Sequence, residues 1–289
     1  MSAIEVILGG VILGGLYALV ALGFNLQYGM ARVVNLAYGE FLMAGAFAAF
    51  FMFTLFSINP ILGMLLSAPV AFAANWLIYR LLMTPLVRRA RTREQLEGDT
   101  ILATFGLLFV LRGAATLTFS ADNRFYDYLG WPVQIFGFTF AANRVLAFGL
   151  ACLFALALWL ILNFTRLGTA LRALAIDPIG AELVGIDARR LSALAFAGGG
   201  ALVAAAGTLV STFFTFNPSI GIEFTMKALV VTIMGGVGNM GGALLAGLLL
   251  GVAEALCSYF VDSGLTLAVA YALFLIVLVV RPRGLFGTP

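Results

Sequence analysis

Apolar residues in this chain run together in blocks of about twenty, separated by short polar stretches. A helix rising 1.5 Å per residue crosses the ~30 Å hydrocarbon core of a bilayer in about that many residues. Nine spans are predicted: 4–26, 35–57, 60–83, 99–120, 143–164, 191–215, 224–241, 243–262 and 264–281. The seventh and ninth are short, and a tilted, broken or re-entrant course there leaves room for eight to ten spans. A membrane β-barrel would show alternating segments of about 10 residues instead. The pattern therefore predicts an all-α, polytopic helical bundle forming a single transmembrane domain over 1–289. The first block carries Glu5 where a signal peptide has a basic region, and it exceeds twenty residues, so it reads as an uncleaved span.

One stretch breaks the oily pattern: "RLGTALRALAIDPIGAELVGIDARRL", residues 166–191. Leu167, Leu171, Leu174 and Ala175 recur at helical spacing, with Arg166 and Arg172 off that stripe. Asp177 is a preferred N-cap and Pro178 suits the first helical position. A two-turn helix is predicted over 178–184, stopped by Gly185, with Asp187 capping the next span. Ile179, Leu183 and Val184 fall on one side of it and Glu182 on another. Two turns are not stable alone in water, so this helix needs a membrane surface or a protein groove to lie in.

Composition sharpens the picture. The chain is 63% hydrophobic and 10% charged, against about 25% charged in soluble domains. Its basic residues are unevenly placed. Arg32, Arg80, Arg88, Arg89, Arg91, Arg93, Arg166, Arg172, Arg189, Arg190, Arg281 and Arg283 fall on one side of the predicted spans; Arg124, Arg144 and Lys227 fall on the other. The positive-inside tendency makes the arginine-rich side cytoplasmic, with the N-terminus outside and the C-terminus inside. Histidine is absent, lysine occurs once, and no GxxxxGK[ST] phosphate loop exists. No catalytic set, metal site or nucleic-acid surface can be assembled. Cys152 and Cys257 sit in apolar runs and read as small buried hydrophobes. A chain with many spans, no nucleotide site and a capped helix facing the cytoplasm suggests a pump whose motor is a separate subunit.

Polar residues inside spans are expensive and mark candidate function. Glu40 lies near the start of the second span, beside Asn35, and Glu254 near the middle of the eighth. Each reads either as a packing hydrogen bond or as part of a translocation path, which also draws in Asn35 and Asn239. Glu223, four residues before Lys227, reads as an ordinary surface pair. Arg112, within a span, needs a partner or a snorkelling route, and one of the acids is a candidate partner. The glycine cluster "GGVGNMGG" at 235–242 predicts a turn or an unwound helix end. The outer loop 121–142, rich in aromatics including Phe136, reads as an interfacial belt or a short surface helix, or alternatively as a partner dock or the roof of a cavity.

Four stretches resemble the branched-chain amino acid ABC transporter permease family, in its shorter paired subunit. They are "GTALRALAIDPIGAELVGI", "GLYALVALGFNLQYGMARVVNLAYGEFLMAGAF", "MGGVGNMGGALLAGLLLG" and the ending "RPRGLFG". Tyr38 stands where histidine is frequent in relatives. The resemblance implies a multi-pass bacterial inner-membrane importer of branched-chain amino acids or related small polar solutes, working by alternating access. Gly168, Arg172, Asp177, Pro178, Ala181, Glu182 and Gly185, within the loop 165–190, would couple it to two cytoplasmic ATPase subunits. Those subunits would bind the ATP and Mg, leaving this chain with no cofactor of its own. A second permease, different from this one in most such systems, and a periplasmic substrate-binding protein would complete the assembly. Membrane lipid surrounds it, and nothing points to nucleic acid. The alternatives are a stand-alone ion-coupled secondary transporter and a passive channel.

Overall fold

The computed structural model describes residues 3–135 and 137–287. Helix α1, Ala3–Asn25, is extended by a π-helical turn, Leu26–Met30; α2 spans Tyr38–Phe56. Helix α3, Pro60–Ile78, runs through a second π turn, Tyr79–Met83, into α4, Thr84–Arg89; α5 is Arg93–Phe119. Strands β1, Pro132–Ile135, and β2, Phe138–Ala141, precede α6, Ala142–Phe164. Then come α7, Arg166–Ile176; α8, Pro178–Leu183; α9, Ala188–Ser211; α10, Ile220–Gly235; α11, Met240–Phe260; and α12, Thr266–Val280.

Eight helices among the described residues are long and apolar enough to cross a membrane. The difference from nine is α10. Its 16 residues make about 24 Å of helix, less than a bilayer core. Instead of facing lipid, α10 is packed among α1, α2, α11 and α12. Helix α9 is the inner post, touching α1, α2 and α3.

Small residues allow this packing. Gly10 and Gly14 of α1 face Gly251 and Gly247 of an antiparallel α11. A Cβ on Gly14 would lie 2.7 Å from the Leu248 Cα, so only glycine fits. In lipid, where apolar burial does not drive helices together, such close backbone approach supplies the van der Waals contact that does.

The second span starts later than its hydropathy suggests. Residues 31–37 are not helical, because the Asn35 side chain accepts from the Ala37 amide at 3.1 Å and turns the chain. The 235–242 cluster is the expected turn: Gly236 and Gly238 have φ of +101° and +86°, and Asn239 caps α11 by accepting from the Gly242 amide at 2.9 Å.

Among its described residues the loop 121–142 forms no surface helix; its distal part is an antiparallel hairpin pairing β1 with β2. Gly137, at φ +81°, sits in its turn, and Phe136 lies outside the described residues. Alternation of Val133 with Ile135 and of Phe138 with Phe140 is a strand period that the aromatic richness of the loop obscured. Tyr126 packs against Phe50 and Phe53 and shares a 2.9 Å hydrogen bond with Ser211. Burial pushes its pKa up to about 12, with the Ser211 bond opposing. Cys257 is buried as expected, but Cys152 is exposed, on the outward face of α6.

Replacing Gly14 with Leu should abolish the folded, monodisperse chain on size-exclusion chromatography. Gly9→Ala, where a Cβ meets nothing within 4 Å, should leave the elution profile unchanged.

Candidate functional site

The loop 165–190 forms one object at the arginine-rich end. The Thr165 hydroxyl caps α7 by accepting from the Gly168 amide at 3.1 Å. Gly168 abuts the backbone of Ile161 and Leu162, which leaves no room for a side chain. Leu171 and Leu174 are buried, seating α7 on the bundle. Asp177 then accepts from the Ile179 amide at 3.1 Å, Pro178 occupies the first turn, and Ala181 is the buried residue that holds α8 down. Gly185, at φ +86°, ends it, while the Ile186 amide closes on the Ala181 carbonyl at 3.0 Å. Asp187 caps α9 through the Arg190 amide at 3.0 Å.

What this leaves outside is apolar. Ile176, Ile179, Leu183 and Val184 are between 74% and 83% exposed, a patch that nothing among the described residues covers. Glu182 is exposed beside it. Arg172 does not join the patch; its guanidinium reaches back to Asn163 Oδ1 at 3.5 Å.

Arg32, read in the sequence only as a topogenic charge, ties α7 to the interior. Its Nη2 donates to the Ala175 and Ile176 carbonyls at 2.8 and 3.2 Å. A cation there satisfies last-turn carbonyls and complements the helix dipole. Its backbone is left-handed, φ +56°, the turn by which the chain re-enters the bundle. Asn35 Nδ2 next donates to Gln27 Oε1 at 2.9 Å, and Gln27 Nε2 to the Phe196 carbonyl at 2.8 Å. The Leu36 amide meets Thr104 Oγ1, midway along α5, at 3.0 Å. At the start of α2, the Tyr38 hydroxyl donates to the Val20 carbonyl at 2.7 Å and the Gly39 amide to Thr225 Oγ1 at 2.8 Å. Glu40 is fully buried against Gly221, and neither carboxylate oxygen has a hydrogen-bond partner among the described residues.

A cavity of about 750 Å³ opens at the hairpin end between α1, α6, α10 and α11, with β2 along its edge. Its floor is ionic. Lys227 Nζ donates to Tyr17 Oη at 2.8 Å, to Glu254 Oε2 at 3.2 Å and to Glu223 Oε1 at 3.1 Å. Tyr17 in turn donates to Glu254 Oε2 at 2.6 Å. Lys227 also lies over the Tyr17 ring, 4.5 Å from its centroid. Lys227 is thus part of a buried cluster, where the sequence suggested a surface pair with Glu223. The missed signal was a lone lysine inside a short span followed by a mid-span acid in the next helix.

The four path candidates do not converge. Glu254 lines this cavity, Asn35 and Glu40 lie in the interior, and Asn239 serves the turn before α11, donating to the Phe286 carbonyl at 2.9 Å. Among the described residues Arg112 finds no acid within bonding distance; its Nη2 donates to Ser219 Oγ at 2.6 Å. No cluster of metal-ligating side chains occurs among the described residues.

A bundle of long apolar helices, one helix starting inside it and a capped amphipathic helix standing outside it define a membrane transport subunit. The chain belongs to the family described as branched-chain amino acid transport system / permease component, whose model matches residues 6–279. It is accordingly a multi-pass inner-membrane protein. It is 32% identical to the high-affinity branched-chain amino acid transport system permease protein LivH of Escherichia coli strain K12, over 97% of this chain and 94% of that one. It is 30% identical to the corresponding BraD protein of Pseudomonas aeruginosa, over 99% and 96%. Among solved structures, PsaBC from Streptococcus pneumoniae in complex with Fab aligns with a TM-score of 0.52 at 12% identity, covering 96% of this chain and 91% of that one. At that identity the likeness is one of fold.

Lys227→Met strands Glu254 in the interior, and breaking a buried pair costs roughly 3–5 kcal/mol. Thermal unfolding of the purified chain in lipid nanodiscs should show that loss, and Lys227→Met combined with Glu254→Leu should regain more than half of it.

Proposed function

We propose that the chain is one of two membrane-spanning subunits of an ATP-driven importer for branched-chain amino acids or related small amino-acid-like solutes. The observation that carries this is α8: capped at both ends, held by Ala181, with an apolar patch facing away from the bundle. A two-turn helix persists only where caps and a partner surface hold it, and apolar exposure of this kind at a chain's polar end marks an interaction site. The distribution of arginine supports a cytoplasmic position for that end. The partner is a separate ATPase subunit, since the chain has no phosphate loop. A second permease completes the membrane part, a reading that the weaker similarity to the permease protein LivM of Escherichia coli strain K12, 26% identical, supports; a periplasmic binding protein that delivers the solute belongs to the same proposal.

In this mechanism nucleotide-driven closure of the ATPase pair pulls on α8. Helix α7 moves with it, and Arg32 passes the shift to residues 31–37 and the inner end of α2. The element displaced is the one whose start lies within the bundle, so a rigid-body movement there opens one side of the path as it closes the other. The chain itself makes and breaks no covalent bond.

The test is reconstitution with all partner subunits. Asp177→Ala removes the cap, worth about 1 kcal/mol, and Ile179→Glu puts charge into the patch. Each should lower ATP-driven leucine uptake at least tenfold while the purified chain stays folded. Wild-type uptake by both variants would remove α8 from the coupling. Uptake without ATPase subunits, following an ion gradient or the solute gradient, would replace the importer reading altogether.

A further inference from the structure

We infer that the bare face of the α3–α4 helix, where it leaves the bilayer at the arginine-rich end, is a docking surface for anionic phospholipid headgroups. The inference goes beyond the importer reading and needs only a chain that spans a membrane.

Helix α3, the π turn and α4 run without a break over 30 residues, from Pro60 to Arg89. At 1.5 Å per residue that is about 45 Å, against a hydrocarbon core of ~30 Å. A tilt of about 20°, usual for membrane helices, takes up only a few ångströms of the excess. The last turns therefore stand at the level of the headgroups. One side of them is fixed by the bundle. Tyr79 and Met83 are buried with Val33 and Phe196, and the Tyr79 ring lies 5.5 Å from that of Phe196. The other side is bare: Leu77, Arg80, Leu81, Arg88, Arg89 and Arg91 are all exposed.

The π turn shapes this bare face. Eight residues of uninterrupted α-helix would carry Arg88 about 80° round from Arg80. A π turn inserts one extra residue, which takes most of that rotation back, so both arginines project from one side. One turn before Arg80 stands Trp76, its ring centroid 5.4 Å from the Arg80 guanidinium. Tryptophan is favoured at the boundary between acyl chains and headgroups. Arginine can lay its stem along Leu77 and Leu81 and hold its charge at the phosphates.

The charge is one-signed and unspent. Residues 76–92 contain four arginines and no acid, so a partner here must be anionic. None of Arg80, Arg88, Arg89 and Arg91 makes a salt bridge among the described residues. A guanidinium with unused donors pairs two oxygens of a phosphate at once. The apolar neighbours favour lipid over a soluble protein. Leu77 and Leu81 continue the exposed row of Leu62, Leu66 and Val70, the side that acyl chains cover. The cations thus sit where those chains end in their headgroups, and basic clusters at that depth attract acidic lipid.

The experiment reads lipid contact at Leu81→Cys, labelled with nitrobenzoxadiazole after Cys152 and Cys257 are replaced. The labelled full chain goes into phosphatidylcholine nanodiscs that contain a minor fraction of nitroxide-labelled lipid, either phosphatidylglycerol or phosphatidylcholine. Nitroxide phosphatidylglycerol should quench at least threefold more strongly than nitroxide phosphatidylcholine at the same mole fraction. Arg80→Gln with Arg88→Gln should bring the two to equality, while Arg281→Gln with Arg283→Gln, which removes as much charge elsewhere, should keep the preference. The ratio between the two lipids cancels any general change in the label's surroundings. Equal quenching in the parent chain, a preference that survives Arg80→Gln with Arg88→Gln, or equal loss in both pairs would overturn the surface. The same label is then read after assembly with the partner subunits. A preference that vanishes there would give the face to a protein neighbour and overturn the lipid. Solute uptake by that assembly tests the importer reading separately, and its failure would leave the lipid result standing.

Discussion

Inside a bilayer a break in a helix leaves amides and carbonyls that water cannot reach, and the protein must supply every partner. The break between α1 and α2 is where this chain meets that constraint. Gln27, Asn35, Thr104 and Thr225 supply side-chain partners for backbone or for each other along residues 27–39. The Tyr38 hydroxyl reaches the backbone of α1. The consequence is that α2 starts within the bundle with a carboxylate, Glu40, in its first turn, where the helix dipole favours negative charge. The short α10 covers this start, and Gly39 and Gly221 allow the two backbones to touch.

The same polar string connects the two ends of the molecule. At one end Arg32 joins it to α7 and so to α8, the exposed helix. From Thr225, α10 leads within one turn to Lys227, which holds Glu254 of α11 in the floor of the opposite cavity. Helices α1 and α11 are packed backbone to backbone through facing glycines; in the proposed mechanism they would be the wall that stays. A transporter needs some parts that move as units and others that stay, and glycine contacts and hydrogen-bonded connections divide this chain in that way.

Local chemistry was legible in the sequence. Asp177, Pro178, Gly185 and Asp187 each act on neighbours within five residues, so cap rules place α8 to within one residue. The 236–239 turn was legible for the same reason: few residues other than glycine take its positive φ. Long-range pairings were not. Arg32 and Ala175 are 143 residues apart, and Lys227 and Tyr17 are 210 apart. Hydropathy ranks the short α10 beside the longer helices because a buried helix and a lipid-facing one look alike by composition. The hairpin was hidden because aromatic residues suit both a membrane interface and a strand.

The central claim is that movement of α8 reaches α2 through Arg32. The direct measurement is the distance between spin labels at Leu55, exposed on α2, and Phe260, exposed on α11, after Cys152 and Cys257 are replaced. It is taken in the reconstituted assembly with and without trapped ATP. The wild-type distance should change on trapping, and Arg32→Ala should lose that change while ATP hydrolysis continues. A full ATP-dependent change in the Arg32→Ala assembly would contradict the account.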